Sequence, residues 1–201
     1  MNEQIIDDFV DKFSSYIRKT PEGFYDTFRF TRTGLNLTHP RTWGYAVQAL
    51  KDSGIHTIDI DIRINDRGKF QPDVIGRQED GMEVLIIDYE SPNSSDARII
   101  EKDVNPYREW SEANNKETPY IIITTLPDKP GPEWELRYTS KGYYNEHHKG
   151  KLPEITKNPF RYWYDFYRKM LEGYNMDCIY FVNISGKDVN RVDIRGKNNK
   201  T

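Results

Sequence analysis

Cysteine is almost absent from this 201-residue chain: Cys178 stands alone. No internal disulfide and no cysteine cage for zinc can form, and a reducing compartment, the cytoplasm, is the expected location. Long apolar runs are absent too. None approaches the ~18 residues that cross a bilayer, so no membrane partner is expected. The opening residues Met1–Asp8 are acidic and lack the apolar core of a signal peptide. Positive charge is not in excess: 29 Lys and Arg face 32 Asp and Glu, a net charge of -3. That balance excludes a protein that coats nucleic acid by charge alone and confines any such contact to a local patch. There is no Gly-x-Ser-x-Gly, no Walker loop and no Gly-x-Gly-x-x-Gly, so serine hydrolase, nucleoside triphosphatase and dinucleotide readings lack their central parts. No internal repeat is visible.

Aromatic side chains are plentiful, with 14 Tyr, 9 Phe and 4 Trp. Rings bury much area per residue, so this content argues for a packed core over disorder. The length fits one domain. Ile5, Ile6, Phe9, Phe13 and Ile17 recur at helical spacing over residues 3–18. A second helix is expected to start at Thr38-His39-Pro40 and to stop at Gly54. The period then switches to two. Ile58, Ile60, Ile62 and Ile64 alternate with Thr57, Asp59, Asp61 and Arg63, so residues 55–64 read as a strand with one apolar face. Lys69–Gly76 and Met82–Glu90 read as two more strands joined by tight turns, which makes an antiparallel meander. The run Val84-Leu85-Ile86-Ile87 marks the third strand as central.

Ser94 and Ser95 open a helical stretch reaching Asn114, in which Pro106 must make a kink or begin a second segment with Asp103 as N-cap. Thr118–Leu126, around Ile121-Ile122-Ile123, reads as a buried fourth strand parallel to the third. Residues 127–157, with Pro127, Pro130, Gly131, Pro132, Gly142 and Gly150, read as a long loop. Asn158–Glu172 is an aromatic helix and Asp177–Ser185 a final strand. The expectation is a single α/β domain with a mixed sheet: an extension over 1–38, a core over 40–126, the loop, and a C-terminal helix and strand over 158–195.

The chemistry is concentrated in Gln71-Pro72-Asp73-Val74-Ile75-Gly76 and Val84-Leu85-Ile86-Ile87-Asp88-Tyr89-Glu90. Side chains two apart on a strand share a face, about 6.5 Å apart along it, so Asp88 and Glu90 point the same way. A hairpin brings Asp73 alongside them. Three carboxylates at one sheet end repel unless a cation lies between them, and hard oxygen ligands suit Mg²⁺ or Mn²⁺. Ordinary strand-end acids are the alternative. Asp88 argues against it, because it follows four apolar residues in a strand expected to be covered, where bare charge is costly.

On these residues and this element order, the chain resembles the PD-(D/E)XK nuclease superfamily over residues ~40–126. The resemblance implies a restriction-endonuclease-like αβββαβ core with a mixed central sheet, preceded by an N-terminal helix and followed by a C-terminal helix-strand extension. It also implies that Asp73 and Asp88 bind Mg²⁺ and that Tyr89 offers its carbonyl. Where the family carries Lys, this chain has Glu90, as a base for the attacking water or as a further ligand. Lys102 or Lys69 then stands as a source of the displaced ammonium, with a solvated charge as the alternative for each. The inward acid that many members place on the first core helix is replaced by Gln48, a weaker ligand.

Substrate contacts are expected at Ser94, Arg98 and Arg108 beyond the third strand and at Arg41 on the first core helix. Phe28, Phe30, Trp43 and Tyr107 lie among the basic residues, either to stack on bases or to pack in the core. His39 and His56 have no recognisable partner, and His147-His148 sits in the long loop without another His or Cys nearby. Asp59 and Asp61 read as solvent-facing acids. The expected activity is metal-dependent hydrolysis of DNA, or of RNA, by a nuclease able to pair as a homodimer through a leftover aromatic face of the C-terminal helix. The alternative is a catalytically inactive module of the same fold that binds nucleic acid or protein.

Overall fold

Ile6, Phe9, Phe13 and Ile17 form the buried stripe of α1 (Asn2–Ile17) in the computed structural model, which describes residues 2–21, 24–25, 38–64, 70–90, 101–125, 150–172, 174 and 177–192. The chain continues through α2 (Thr38–Asp52), β1 (Thr57–Ile60), β2 (Val74–Arg77), β3 (Glu83–Tyr89), α3 (Glu101–Asn114) and β4 (Tyr120–Thr124). It closes with α4 (Leu152–Lys157), α5 (Pro159–Leu171), β5 (Ile179–Ser185) and β6 (Asp188–Val192). All six strands form one sheet in sequence order. The pairs β1/β2, β2/β3 and β5/β6 are antiparallel, whereas β3, β4 and β5 run parallel.

Alternation along the strands builds two cores. Leu85, Ile87, Tyr89, Ile121, Ile123 and Val182 face α1 and α2. Ile86, Tyr120, Ile122, Ile179 and Phe181 face Val104, Tyr107 and Trp110 of α3 and Trp163, Tyr167 and Leu171 of α5. The sheet is thus covered on both sides, and the continuous apolar run of β4 follows from that. Each large side chain so buried stabilises the fold by about 1.5–3 kcal/mol.

Two glycines set the join between α2 and the meander. Gly54 ends the helix at φ +82°, and Ile55 N–H reaches back to Leu50 C=O at 2.9 Å, a six-to-one closure that a left-handed residue permits. Gly76 on β2 lies beneath that join, where an added Cβ would meet Ile55 Cγ2 at 3.1 Å and Leu50 Cδ2 at 3.4 Å.

The meander, the following helix and the parallel fourth strand stand in the expected order, with four local corrections. β1 stops at Ile60 because Asp61 adopts φ +55°, and Ile60 and Ile62 are exposed rather than part of a buried face. Asp103 caps no second segment: α3 runs through Pro106, which forgoes only its own bond to the Lys102 carbonyl. Residues 152–157 of the expected loop form α4. The C-terminal extension also holds a second strand, β6, hidden in sequence by the polar pattern of an edge strand and joined to β5 through Gly186 at φ +60°.

Candidate active site

The carboxylates at the end of the meander are brought together by strand pairing. Val74 pairs with Ile87, so Asp73, just before β2, stands opposite Asp88. The Asp73 backbone N–H donates to Asp88 Oδ1 at 2.7 Å, and Tyr89 N–H donates to Asp73 Oδ2, also at 2.7 Å. The second Asp88 oxygen accepts from the Tyr120 hydroxyl. Tyr120 opens β4 opposite Ile86, on the same face as Asp88 and one side-chain step below it.

Asp88 is only 4% exposed and Glu90, one residue past β3, only 7%. Burial is the main force raising the Asp88 carboxyl above the usual range, reinforced by the negative charges of Asp73 and Asp103. Burial likewise raises Glu90, with Asp103 adding to it and Lys102 opposing it. Asp103, on α3, is raised by burial and partly relieved by Lys102.

Lys102 donates from Nζ to Glu90 Oε1 and lies 3.0 Å from both Asp103 oxygens. Burial alone would lower its ammonium, but Glu90 and Asp103 outweigh that and hold it above the ordinary range. Among the described residues, this one ammonium, set against Glu90 and Asp103, serves a cluster of four acids that also includes Asp73 and Asp88. The excess of negative charge in a covered site is the condition a divalent cation relieves.

His39 completes the arrangement. It occupies the first turn of α2, and its Nε2 lies 2.9 Å from Asp73 Oδ2. Its ring contacts Trp43 and Tyr89, with centroids 4.6 and 5.5 Å away. A topological signal for this existed in the sequence. α2 feeds β1 and β1 turns back into β2, so the start of α2 and the start of β2 share one end of the sheet. Asp103 and Tyr120 were also missed as site residues. The only signal for them was their placement on elements flanking Asp88.

Of the residues expected here, Asp73, Asp88, Tyr89, Glu90 and Lys102 are gathered as anticipated. Gln48 is not: it is exposed on α2, off the buried face formed by Thr42, Ala46, Ala49 and Leu50, and His39 takes the inward position. Arg41 is exposed two residues along α2 from His39, with its guanidinium over the Phe24 and Tyr45 rings. Arg108 packs on the Tyr174 ring at 5.3 Å. Ser94, Arg98, Lys69, Phe28, Phe30 and His147-His148 lie outside the described residues. Asp59 pairs with Arg77 at 2.6 Å, and Asp61 accepts from Gln71 at 2.7 Å, so neither joins the cluster.

Among the described residues, no three His, Cys, Asp or Glu side chains are arranged to hold a metal ion as they stand. The donor chemistry nevertheless fits a hard cation: carboxylate oxygens in excess over compensating charge, with His39 beside Asp73. No described helix is long and apolar enough to cross a membrane. No protein-family model matches the chain, and no curated protein or solved structure matches it.

Proposed function

We propose that this protein is a metal-dependent phosphodiester hydrolase acting on DNA, built on a PD-(D/E)XK-like core. The observation that carries the reading is the reach of Lys102 from α3 to Glu90. The chain lacks an ammonium at the third motif position, and a neighbouring helix brings one to the Glu90 carboxyl that stands there. The helix, the three-strand meander, the second helix and the parallel fourth strand follow the order expected for that core. Mg²⁺ or Mn²⁺ would be held by Asp73 and Asp88, with the Tyr89 carbonyl and His39 as further donors, and would supply Lewis-acid stabilisation of the phosphate.

The chain's own groups account for the remaining steps. Glu90 takes the proton of the attacking water, its carboxyl raised by burial. Lys102, fixed between Glu90 and Asp103, presents positive charge to the phosphate's non-bridging oxygens. Tyr120 and the Asp73 N–H hold both Asp88 oxygens in one orientation. The lone, buried Cys178 suits work in the cytoplasm.

The test is a Mn²⁺ and Mg²⁺ titration by thermal shift beside a DNA cleavage assay, on the wild type, Asp73→Asn and Asp88→Asn. Ion-dependent stabilisation and cleavage, both lost in the two variants, are the expected result. A second reading, a non-catalytic binding module of the same fold, draws on one observation: both Asp88 oxygens already accept hydrogen bonds within the protein. Absence of ion stabilisation and of cleavage, with nucleic-acid or protein binding retained, would select it.

A further inference from the structure

The register of the parallel strands places a second polar feature beside the carboxylates. Asp88, Ile122 and Phe181 lie in one row across β3, β4 and β5, on the face covered by α3 and α5. One side-chain step further toward the carboxyl ends, the same face carries Glu90, Thr124 and Asn183, with Thr124 paired to Asn183 and Glu90 N–H bonded to Ile123 C=O. The row changes from an acid and two apolar groups to three polar groups, all buried.

Thr124 is the anomaly in that row. It is 0% exposed and follows Ile121-Ile122-Ile123, yet among the described residues its Oγ1 has no hydrogen-bond partner. A buried hydroxyl without a partner is destabilising, and valine has the same shape without that penalty. The hydroxyl sits at the carboxyl end of a parallel strand, where open α/β sheets take their ligands. The acids around it already provide oxygen ligands for a cation. A donor for the substrate's anionic oxygens is what they do not provide.

We infer that Thr124 is a substrate-binding residue whose hydroxyl donates to a non-bridging phosphodiester oxygen of the nucleic-acid strand, next to the bond cleaved at Asp73, Asp88 and Glu90. The inference rests on the hydrolase reading above. A contact of this kind is made equally in the ground state and the transition state, so it appears in KM and not in kcat.

The experiment is steady-state cleavage of a labelled DNA oligonucleotide with Mg²⁺ by wild type, Thr124→Val and Thr124→Ser, with melting temperatures measured alongside. The valine variant is expected to fold with an unchanged or higher melting temperature, to raise KM about tenfold and to keep kcat within about twofold, as loss of one hydrogen bond to a charged oxygen implies. Serine restores KM. Cleavage by the valine variant with wild-type KM overturns the inference and leaves the hydrolase reading intact. So does a lower melting temperature with unchanged KM, which marks a purely structural hydroxyl. Wild-type protein that cleaves no DNA overturns both.

Discussion

Lys102, on α3, donates to Glu90, one residue beyond β3, and so joins a helix to the end of a central strand through a largely covered ion pair. Asp103 takes the same ammonium from the other side. Removing the cation leaves the buried Glu90 carboxyl facing the half-buried one of Asp103. Lys102→Met should lower unfolding stability by about 2 kcal/mol, below the roughly 3–5 kcal/mol for breaking a fully buried pair, because Lys102 keeps some exposure. It should also reduce DNA cleavage by about 100-fold or more. The double variant Glu90→Gln/Lys102→Met should recover most of the stability in urea titrations and none of the rate. Recovery of both would assign the pair to folding alone.

The acids predict an unusual pH dependence for the metal-free protein. Asp88, Glu90 and Asp103 all have carboxyls raised by burial, so the folded state binds their protons more tightly than the unfolded chain does. A group raised in this way contributes stability that is fully present below its unfolded value of ~4 and is lost as pH rises through its folded value. Lys102, raised as well, contributes stability lost only at alkaline pH, above the range that matters here. Without divalent ions, the melting temperature should therefore fall as pH rises above about 4, into the range where many proteins are near their optimum. Asp88→Asn should flatten that fall and raise the melting temperature at pH 8 by a few degrees, roughly a 1 kcal/mol effect in a domain of this size. A curve rising steadily to pH 8 in the metal-free wild type would show that the acids are compensated within the protein.

Packing on the opposite face gives a test independent of chemistry. Gly76 lets Leu50 of α2 and Ile55 approach the backbone of β2. An alanine Cβ would press Ile55 Cγ2 at 3.1 Å, and that stiff, β-branched side chain would have to give by a few tenths of an ångström. Gly76→Ala should cost about 1 kcal/mol and Gly76→Val about 2–3 kcal/mol, as overpacking does. Chemical denaturation provides the measurement. Because α2 also carries His39 toward Asp73, the valine variant should lose metal affinity along with stability, whereas Leu50→Ala should lower stability without displacing the helix.

How far the sequence disclosed this arrangement depends on the range of the forces involved. Pro72-Asp73 and Asp88-Tyr89-Glu90 were legible because strand period and hairpin pairing are local, and the isoleucine run of β4 was legible because a covered strand is apolar on both faces. The His39–Asp73 contact crosses 34 residues and follows from topology, not from any local pattern. Tyr120 looked like one more aromatic at the head of an apolar strand, and its hydroxyl acquires meaning only once β4 is registered against β3. β6 and the exposed Ile60 and Ile62 misled in opposite ways. Edge strands escape the demand for an apolar face, so one edge strand looked like loop, and the other looked more buried than it is.

His39 separates a functional cluster from an accidental one. It is half-exposed and carries one ring contact each to Trp43 and Tyr89, so its removal disturbs little packing. Asp73 keeps the Tyr89 N–H when His39 is gone. His39→Ala should therefore change unfolding stability by less than about 1 kcal/mol, in line with other partly exposed polar contacts. If His39 steadies Asp73 for an ion or contributes a donor itself, Mn²⁺ affinity should fall by about 10–100-fold, as it does when a metal ligand loses its support. His39→Gln, which retains a side-chain donor at comparable reach, should recover part of that affinity. Calorimetric Mn²⁺ titration of the three proteins decides it. Equal affinity across the series would detach His39 from the carboxylates in function, even though it touches Asp73 in the structure.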